Sequence, residues 1–212
     1  MYNIFIGGIN MKILVIYYSM YGNTYELAKS VFEGAKSVEG AEVSLKTVPE
    51  LMPEEIIHNN ERIKKGKEIQ KDVPIAQVAE LEHYDAIIWG TPTRFGNMCS
   101  QLKNFIDQLG GLWIKGKLEN KITGVFTSTS SIHGGQETTI ISSMIPLMHL
   151  GMIIVGVPYS VPELLTTKTG GTPYGASHVA GENADLPVNE QEKNIAFAMG
   201  KRIAEITSKY IG

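Results

Sequence analysis

A single cysteine, Cys99, stands in the 212-residue chain. Without a second thiol there is no intrachain disulfide, no CxxC redox pair and no cysteine-ligated zinc or iron–sulfur centre. A reducing cytoplasm fits that usage, and no metal site is expected. Charge of one sign is also scarce: 19 Lys and Arg against 22 Asp and Glu leave a net charge of −3. With no basic stripe, nucleic acid is not an expected partner. Neither GxxxxGK[ST] nor GxGxxG occurs, which sets aside a triphosphate site with its lysine and magnesium and an ordinary dinucleotide fold. Internal repeats and low-complexity tracts are missing too. The opening "MYNIFIGGIN" is too short for a membrane span and lacks a signal peptide's basic start and cleavage pattern, so no membrane insertion is expected. It precedes a second methionine, Met11, and reads as an N-terminal extension over 1–10, with one domain over 11–212.

What is present is 43% hydrophobic residues, enough for one packed α/β core. Short apolar, β-branched runs recur at Lys12–Tyr18, Glu42–Val48, Asp85–Trp89, Lys121–Thr127 and Met152–Val157. Longer segments with helical spacing separate them, which predicts βα alternation around a parallel sheet. In the first helix Leu27, Ala28, Val31 and Ala35 share a face, with Asn23 as the expected N-cap and Glu26 three residues on. Further helices are expected over Asn97–Leu109, Glu137–Leu150 and Glu190–Tyr210. Two segments exceed the minimal unit. Pro49–Pro74, with its charged run "NNERIKKGKEIQKD", reads as a solvated surface excursion. Pro158–Pro187, rich in Gly, Thr and Pro, is too long for an ordinary connection and is expected to be functional or interface-forming.

Open α/β sheets bind ligands at the carboxyl ends of their strands. Three strand exits here carry unusual sequences. "YYSMYGNT" (17–24) offers small, hydroxyl-bearing and cation-free residues at a helix start, suited to a monophosphate held by neutral donors. Alone, it reads equally as a polar turn with an N-cap. "GTPTRFGN" (90–97) projects Thr93, Arg94 and Phe95, a donor, a cation and an aromatic plane that match a flat ring with polar edges. Its plain alternative is a rigid loop with a surface arginine. "TSTSSIHGGQE" (127–137) sets hydroxyls before Gly134 and Gly135, a loop that a ligand can approach closely or a merely flexible connection. A flavin mononucleotide (FMN) accounts for all three at once.

Together with "FIDQLGGLW", "HLGM" and "GGTPYGAS", these stretches resemble the tryptophan-repressor-binding-protein-like (WrbA) family of NAD(P)H:quinone oxidoreductases, from Met11 to about Gly212. The resemblance implies a flavodoxin-like, doubly wound, five-stranded parallel sheet in the order 2-1-3-4-5 with helices on both faces. It implies that Ser19, Met20, Tyr21, Gly22, Asn23 and Thr24 hold the FMN phosphate. Pro92, Thr93, Arg94, Phe95 and Gly96, with Ser128, Thr129, Ser130, Ser131, Ile132, His133 and Gly134, would surround the ring. Trp113 would wall the space over the flavin, His149 would lie near the flavin of its own or a neighbouring subunit, and Tyr21 would contact the nicotinamide nucleotide. Arg94, Trp113 and His149 are the candidate catalytic residues, Tyr21 and Trp113 the substrate contacts. Many members have a glycine-containing "STGT" where Ser128–Ser131 stands and a second histidine where Leu150 stands; the chain departs from the pattern at both.

The implied activity is two-electron, ping-pong reduction of quinones by NADH or NADPH through FMN, in a cytoplasmic homodimer or homotetramer. The competing class is a flavodoxin-like carrier that exchanges electrons with protein partners. Carriers are commonly strongly acidic, and they lack "GGLW" and the long late segment. A receiver domain is excluded, because Tyr17-Tyr18-Ser19 and Gly90-Thr91 stand where it needs acidic residues.

Overall fold

A computed structural model describes residues 10–212; the expected extension over 1–10 lies, but for Asn10, outside the described residues. The sheet is built from β1 (Met11–Tyr17), β2 (Ala41–Thr47), β3 (Ala86–Pro92), β4 (Ile122–Thr129) and β5 (Ile153–Ile154), all parallel, in the order β2-β1-β3-β4-β5. This is the order and hand-over of a doubly wound sheet. Its central strands are buried on both faces, which is why they read in sequence as continuous apolar runs. Successive residues nevertheless serve different layers. Leu14, Ile16, Ile87, Trp89 and Val125 pack toward α4 (Ser100–Asp107) and α6 (Gln136–His149). Ile13, Val15, Ile88 and Phe126 pack toward α1 (Asn23–Lys36) and α8 (Glu190–Ile211). The short α5 (Gly110–Trp113) follows α4. The buried Trp89 indole satisfies its N–H on Thr123 Oγ1 at 3.0 Å, so the largest core side chain leaves no polar atom stranded.

Two sequence expectations need correction. The fifth strand stops after Ile154 rather than running to Val157. Beyond Val155 the backbone turns away, and Val157 donates its N–H to Pro173 O at 2.9 Å instead of extending the ladder. The place so vacated along β4 is filled by β6 (Ser177–Val179), parallel to Thr127–Thr129 and drawn from the Pro158–Pro187 segment, which also carries α7 (Glu163–Thr166). The second correction concerns Pro49–Pro74. It is not simply a solvated excursion: α2 (Glu54–His58) and α3 (Glu61–Glu68) form there, and α3 buries Ile63 and Gly66.

β6 is anchored by a buried carboxylate. Glu192, in the first turn of α8, accepts from the N–H groups of Gly170 (2.9 Å), Val179 (3.0 Å) and Asn189 (3.0 Å) and from His178 Nδ1 (2.8 Å). Burial pushes this carboxyl up, but the bonds from His178, Val179 and Asn189 outweigh it and hold the group below its ordinary value. A folded value depressed in this way gives stability that is present above the ordinary carboxylate range and is lost as pH falls through the folded value. Glu192→Gln sets an amide N–H₂ against donors and should cost roughly 1–3 kcal/mol. Thermal melts should show a drop of several degrees at pH 7 that narrows in acid; a deficit independent of pH would contradict the assignment.

Candidate functional site

At the end of β1 the chain makes a tight polar loop before α1. Ser19 is buried, and its Oγ accepts the Gly22 N–H at 3.1 Å. Gly22, not Asn23, is the N-cap of α1; its φ of 95° is the left-handed conformation that favours glycine, and no side chain caps the helix. Asn23 is the first helical residue, and its side-chain amide donates to Ala184 O at 3.0 Å. Among the described residues the N–H groups of Met20, Tyr21, Asn23, Thr24 and Tyr25 meet no acceptor. Unpaired amides at the start of a 14-residue helix, whose dipole is positive there, form an anion seat. Thr24 Oγ1 reaches Ser128 Oγ at 2.8 Å and ties this loop to the exit of β4.

The exit of β3 is a two-residue turn. Arg94 and Asn97 exchange backbone hydrogen bonds (2.8 and 3.1 Å), and the central pair Phe95 and Gly96 both have positive φ, 54° and 77°. Such a turn suits glycine at its second position; at its first, a bulky Phe95 is strained by roughly 1–3 kcal/mol. The turn drives the Phe95 ring wholly into solvent. Arg94 is half-buried. Its guanidinium donates to Thr93 O at 2.8 Å and lies beside Met20 Sδ at 3.6 Å, and among the described residues no carboxylate pairs with it.

These exits converge on a cavity of about 550 Å³. Met20, Tyr21 and Asn23 line it from the first loop, Pro92, Thr93 and Arg94 from the second, and Ser128, Thr129 and Ser130 from the third. The sequence missed the remaining wall: Arg62 of α3 and the turn Ala180–Ala184 that follows β6. Arg62 closes this wall, lying 5.5 Å over the Tyr21 ring and donating to Asn183 O. Ser19, Gly22 and Thr24 are buried at the cavity's base and do not line it.

Not all predicted site residues meet there. Within one chain Trp113 and His149 line a separate apolar groove of about 560 Å³, with Met98, Ile106 and Ile145, so Arg94, Trp113 and His149 do not form one constellation. Ile132 and His133 border a third concavity with Glu137 and Thr138. Ser131 is exposed, Gly134 is half-buried, and neither they nor Phe95 and Gly96 line the main cavity. Cys99 is buried, and burial pushes its thiol up, so it serves as a small residue before α4.

Behind the first loop lies a polar cluster that no sequence pattern announces. Glu50 accepts from Tyr18 Oη (2.9 Å), Gln101 Nε2 (3.1 Å) and the Met52 N–H (2.9 Å), and pairs with Lys67 Nζ at 2.5 Å. Burial raises the Glu50 carboxyl, but Lys67 and the Met52 amide more than offset this and hold it low. Burial, then Glu50's charge, pushes the Tyr18 phenol well above its ordinary value, so it stays a donor.

The strain at Phe95 is testable without ligand. Phe95→Gly should raise the melting temperature by a few degrees, since the exposed ring contributes no packing. Phe95→Ala, which keeps the unfavourable φ, should melt close to the parent. Equal melting of the glycine and alanine variants would remove the strain.

The NADPH-dependent FMN reductase family model matches residues 11–163. A protein of Aromatoleum aromaticum described as NAD(P)H dehydrogenase (quinone) is 47% identical over 203 residues, 95% of this chain and 98% of that one. Among solved structures, a flavodoxin, WrbA-like protein from Agrobacterium tumefaciens superposes with a TM-score of 0.66 at 22% identity, covering 94% of this chain and 99% of that one. A flavodoxin from the domain Archaea does so with a TM-score of 0.60 at 18% identity, over 93% and 99%. The two structures share the fold. The family model covers β1 to β5 and the three strand exits that line the cavity, and on that match and the 47% identity the chain belongs to the NADPH-dependent FMN reductase family.

Proposed function

We propose that the protein is an FMN-dependent NAD(P)H:quinone oxidoreductase whose flavin phosphate sits on the loop from Ser19 to Thr24. The observation that carries this is the set of acceptor-free N–H groups of Met20, Tyr21, Asn23, Thr24 and Tyr25, beside a cavity whose size suits a cofactor. The residues fit the group. Neutral amides and hydroxyls suit a monophosphate, while Pro92, Thr93 and Arg94 offer a rigid polar edge at the other end. The 47% identical relative's description as a quinone dehydrogenase supports the same reading.

FMN, when bound, accepts a hydride from a reduced nicotinamide and passes two electrons to a quinone. The chain's part is to fix, orient and polarise. The α1 amides hold the phosphate end without side-chain reorganisation. Arg94, with no carboxylate partner among the described residues, would supply positive charge to a flavin ring held at its end of the cavity. Arg62, Tyr21 and the Ala180–Ala184 turn wall one flank of the cavity, and a donor and an acceptor that reached the flavin there in turn would give ping-pong kinetics.

Trp113 and His149 enter this reading through assembly. Trp113 and Ile145 line the apolar groove and are exposed, and Ile141 and Met148 are exposed one turn either side of Ile145 on α6, apolar surface of the kind that subunits cover. We infer a homodimer or homotetramer in which this groove meets a second copy. Among the described residues no helix is long and apolar enough to cross a membrane, and the one free thiol accords with a cytoplasmic protein.

Anaerobic mixing of FMN-loaded protein with NADH, and separately NADPH, should bleach the yellow absorbance, and benzoquinone should restore it. A flavin that dithionite reduces but neither nicotinamide bleaches would overturn the enzyme reading in favour of an electron carrier. For the assembly, Ile145→Asp should shift the sedimentation coefficient toward that of one chain; an unchanged oligomer would place the interface elsewhere.

A further inference from the structure

The phosphate loop is gripped from behind by α3 and the turn that follows it, outside the minimal βα framework. Ser19 O accepts from Lys67 Nζ at 3.1 Å and from Gln70 Nε2 at 3.1 Å. Both donors are themselves fixed. Lys67 pairs with Glu50 and lies 4.3 Å over the Tyr18 ring. Gln70 is buried, and its Nε2 also donates to Gly66 O at 2.6 Å. The contact is close enough to require glycine at 66: a Cβ there would fall 2.5 Å from Tyr21 Cα and 2.6 Å from Met20 O.

A trans peptide sets its C=O and N–H in opposite directions, and the described backbone has no cis bonds. Pulling Ser19 O back toward α3 therefore turns the Met20 N–H forward, away from α3. That N–H is one of the acceptor-free amides of the loop, and Met20 lines the cavity. If the carbonyl were released, the peptide could flip and present an oxygen, with its partial negative charge, to an anion.

We propose that Lys67 and Gln70 are positioning residues that set the phosphate selectivity of the loop by holding the Ser19–Met20 peptide with its N–H toward the ligand. The proposal rests on the reading that this loop holds the FMN phosphate. Lys67 acts here without meeting the ligand: its charge is neutralised by Glu50, and its contact is with the far side of the peptide. That arrangement reconciles a phosphate site with a loop containing no cation of its own.

Riboflavin, the same flavin without phosphate, supplies the discriminating probe. Flavin fluorescence titrations of flavin-free protein should give tighter binding of FMN than of riboflavin. In Lys67→Met and in Gln70→Leu the affinity for FMN should fall roughly five- to tenfold for each donor lost, with riboflavin affinity unchanged. Lys67→Arg, which restores a donor, should recover most of the ratio. Equal loss of FMN and riboflavin affinity would mean that the contacts merely support the fold, and an unchanged ratio in both variants would overturn the clamp. A wild-type protein that binds both flavins equally would instead overturn the phosphate assignment itself. Should one variant fail to fold, the other reads the same carbonyl.

Discussion

The orientation of one peptide plane, between Ser19 and Met20, conditions everything at the cavity. Fixed amides provide an anion seat only if their N–H groups already point inward, because a backbone that must rotate first spends binding energy on its own ordering. Here the plane is held on three sides. β1, paired to β2 and β3, delivers the chain; Gly22 allows the sharp turn into α1; and Lys67 and Gln70 secure the carbonyl. A loop so constrained presents neutral dipoles, which would hold the proposed phosphate without a mobile surface cation's entropy cost.

How far the sequence discloses this depends on where each signal resides. The parallel strands are legible because burial on both faces leaves continuous apolar runs such as Ile13 to Ile16. The N-cap is misread for an equally physical reason. Asn23 has the preferred side chain, yet the chain reversal demands positive φ one residue earlier, where Gly22 stands. β6 is short and polar, Ser177-His178-Val179, and exists only because β4 offers a free edge past Ile154; no local pattern encodes that. The buried face of α3 and its following turn was readable in principle, since Ile63, Gly66, Lys67 and Gln70 follow helical spacing. Its charged neighbours, Lys64, Lys65 and Glu68, hid it in what looks like a solvated run. The separation of Trp113 and His149 from Arg94 lies beyond sequence reasoning, because it depends on which groove α4 and α6 create between them.

Strain and buried charge are concentrated at the carboxyl edge of the sheet, while the layers below are apolar and conventionally paired. Phe95 holds a positive φ at the rim, and Glu192 sits almost fully buried where β6 joins α8. The strain at Phe95 costs stability that an optimised scaffold would not spend, while the desolvation of Glu192 is outweighed by its four donors. Each also fixes a wall of the cavity: the turn that presents Arg94, and the strand that leads into Ala180–Ala184. The lower core, from Met11 through Leu102 and Ile195, offsets these costs by burial alone.

In the proposed reaction a nicotinamide and a quinone use one face of the flavin in turn. A nicotinamide and a quinone both need direct access to the ring, so the ring cannot be enclosed, and burial there can supply only part of the hold on the flavin. The remainder must come from the end that never reacts. The cavity is asymmetric in the same sense: a rigid, buttressed end with buried Ser19, Gly22 and Thr24, the proposed phosphate seat, and a lining where Tyr21 and Ser130 lie open to solvent. Retention and turnover are thus assigned to opposite ends of one ligand, and tightening the first need not slow the second.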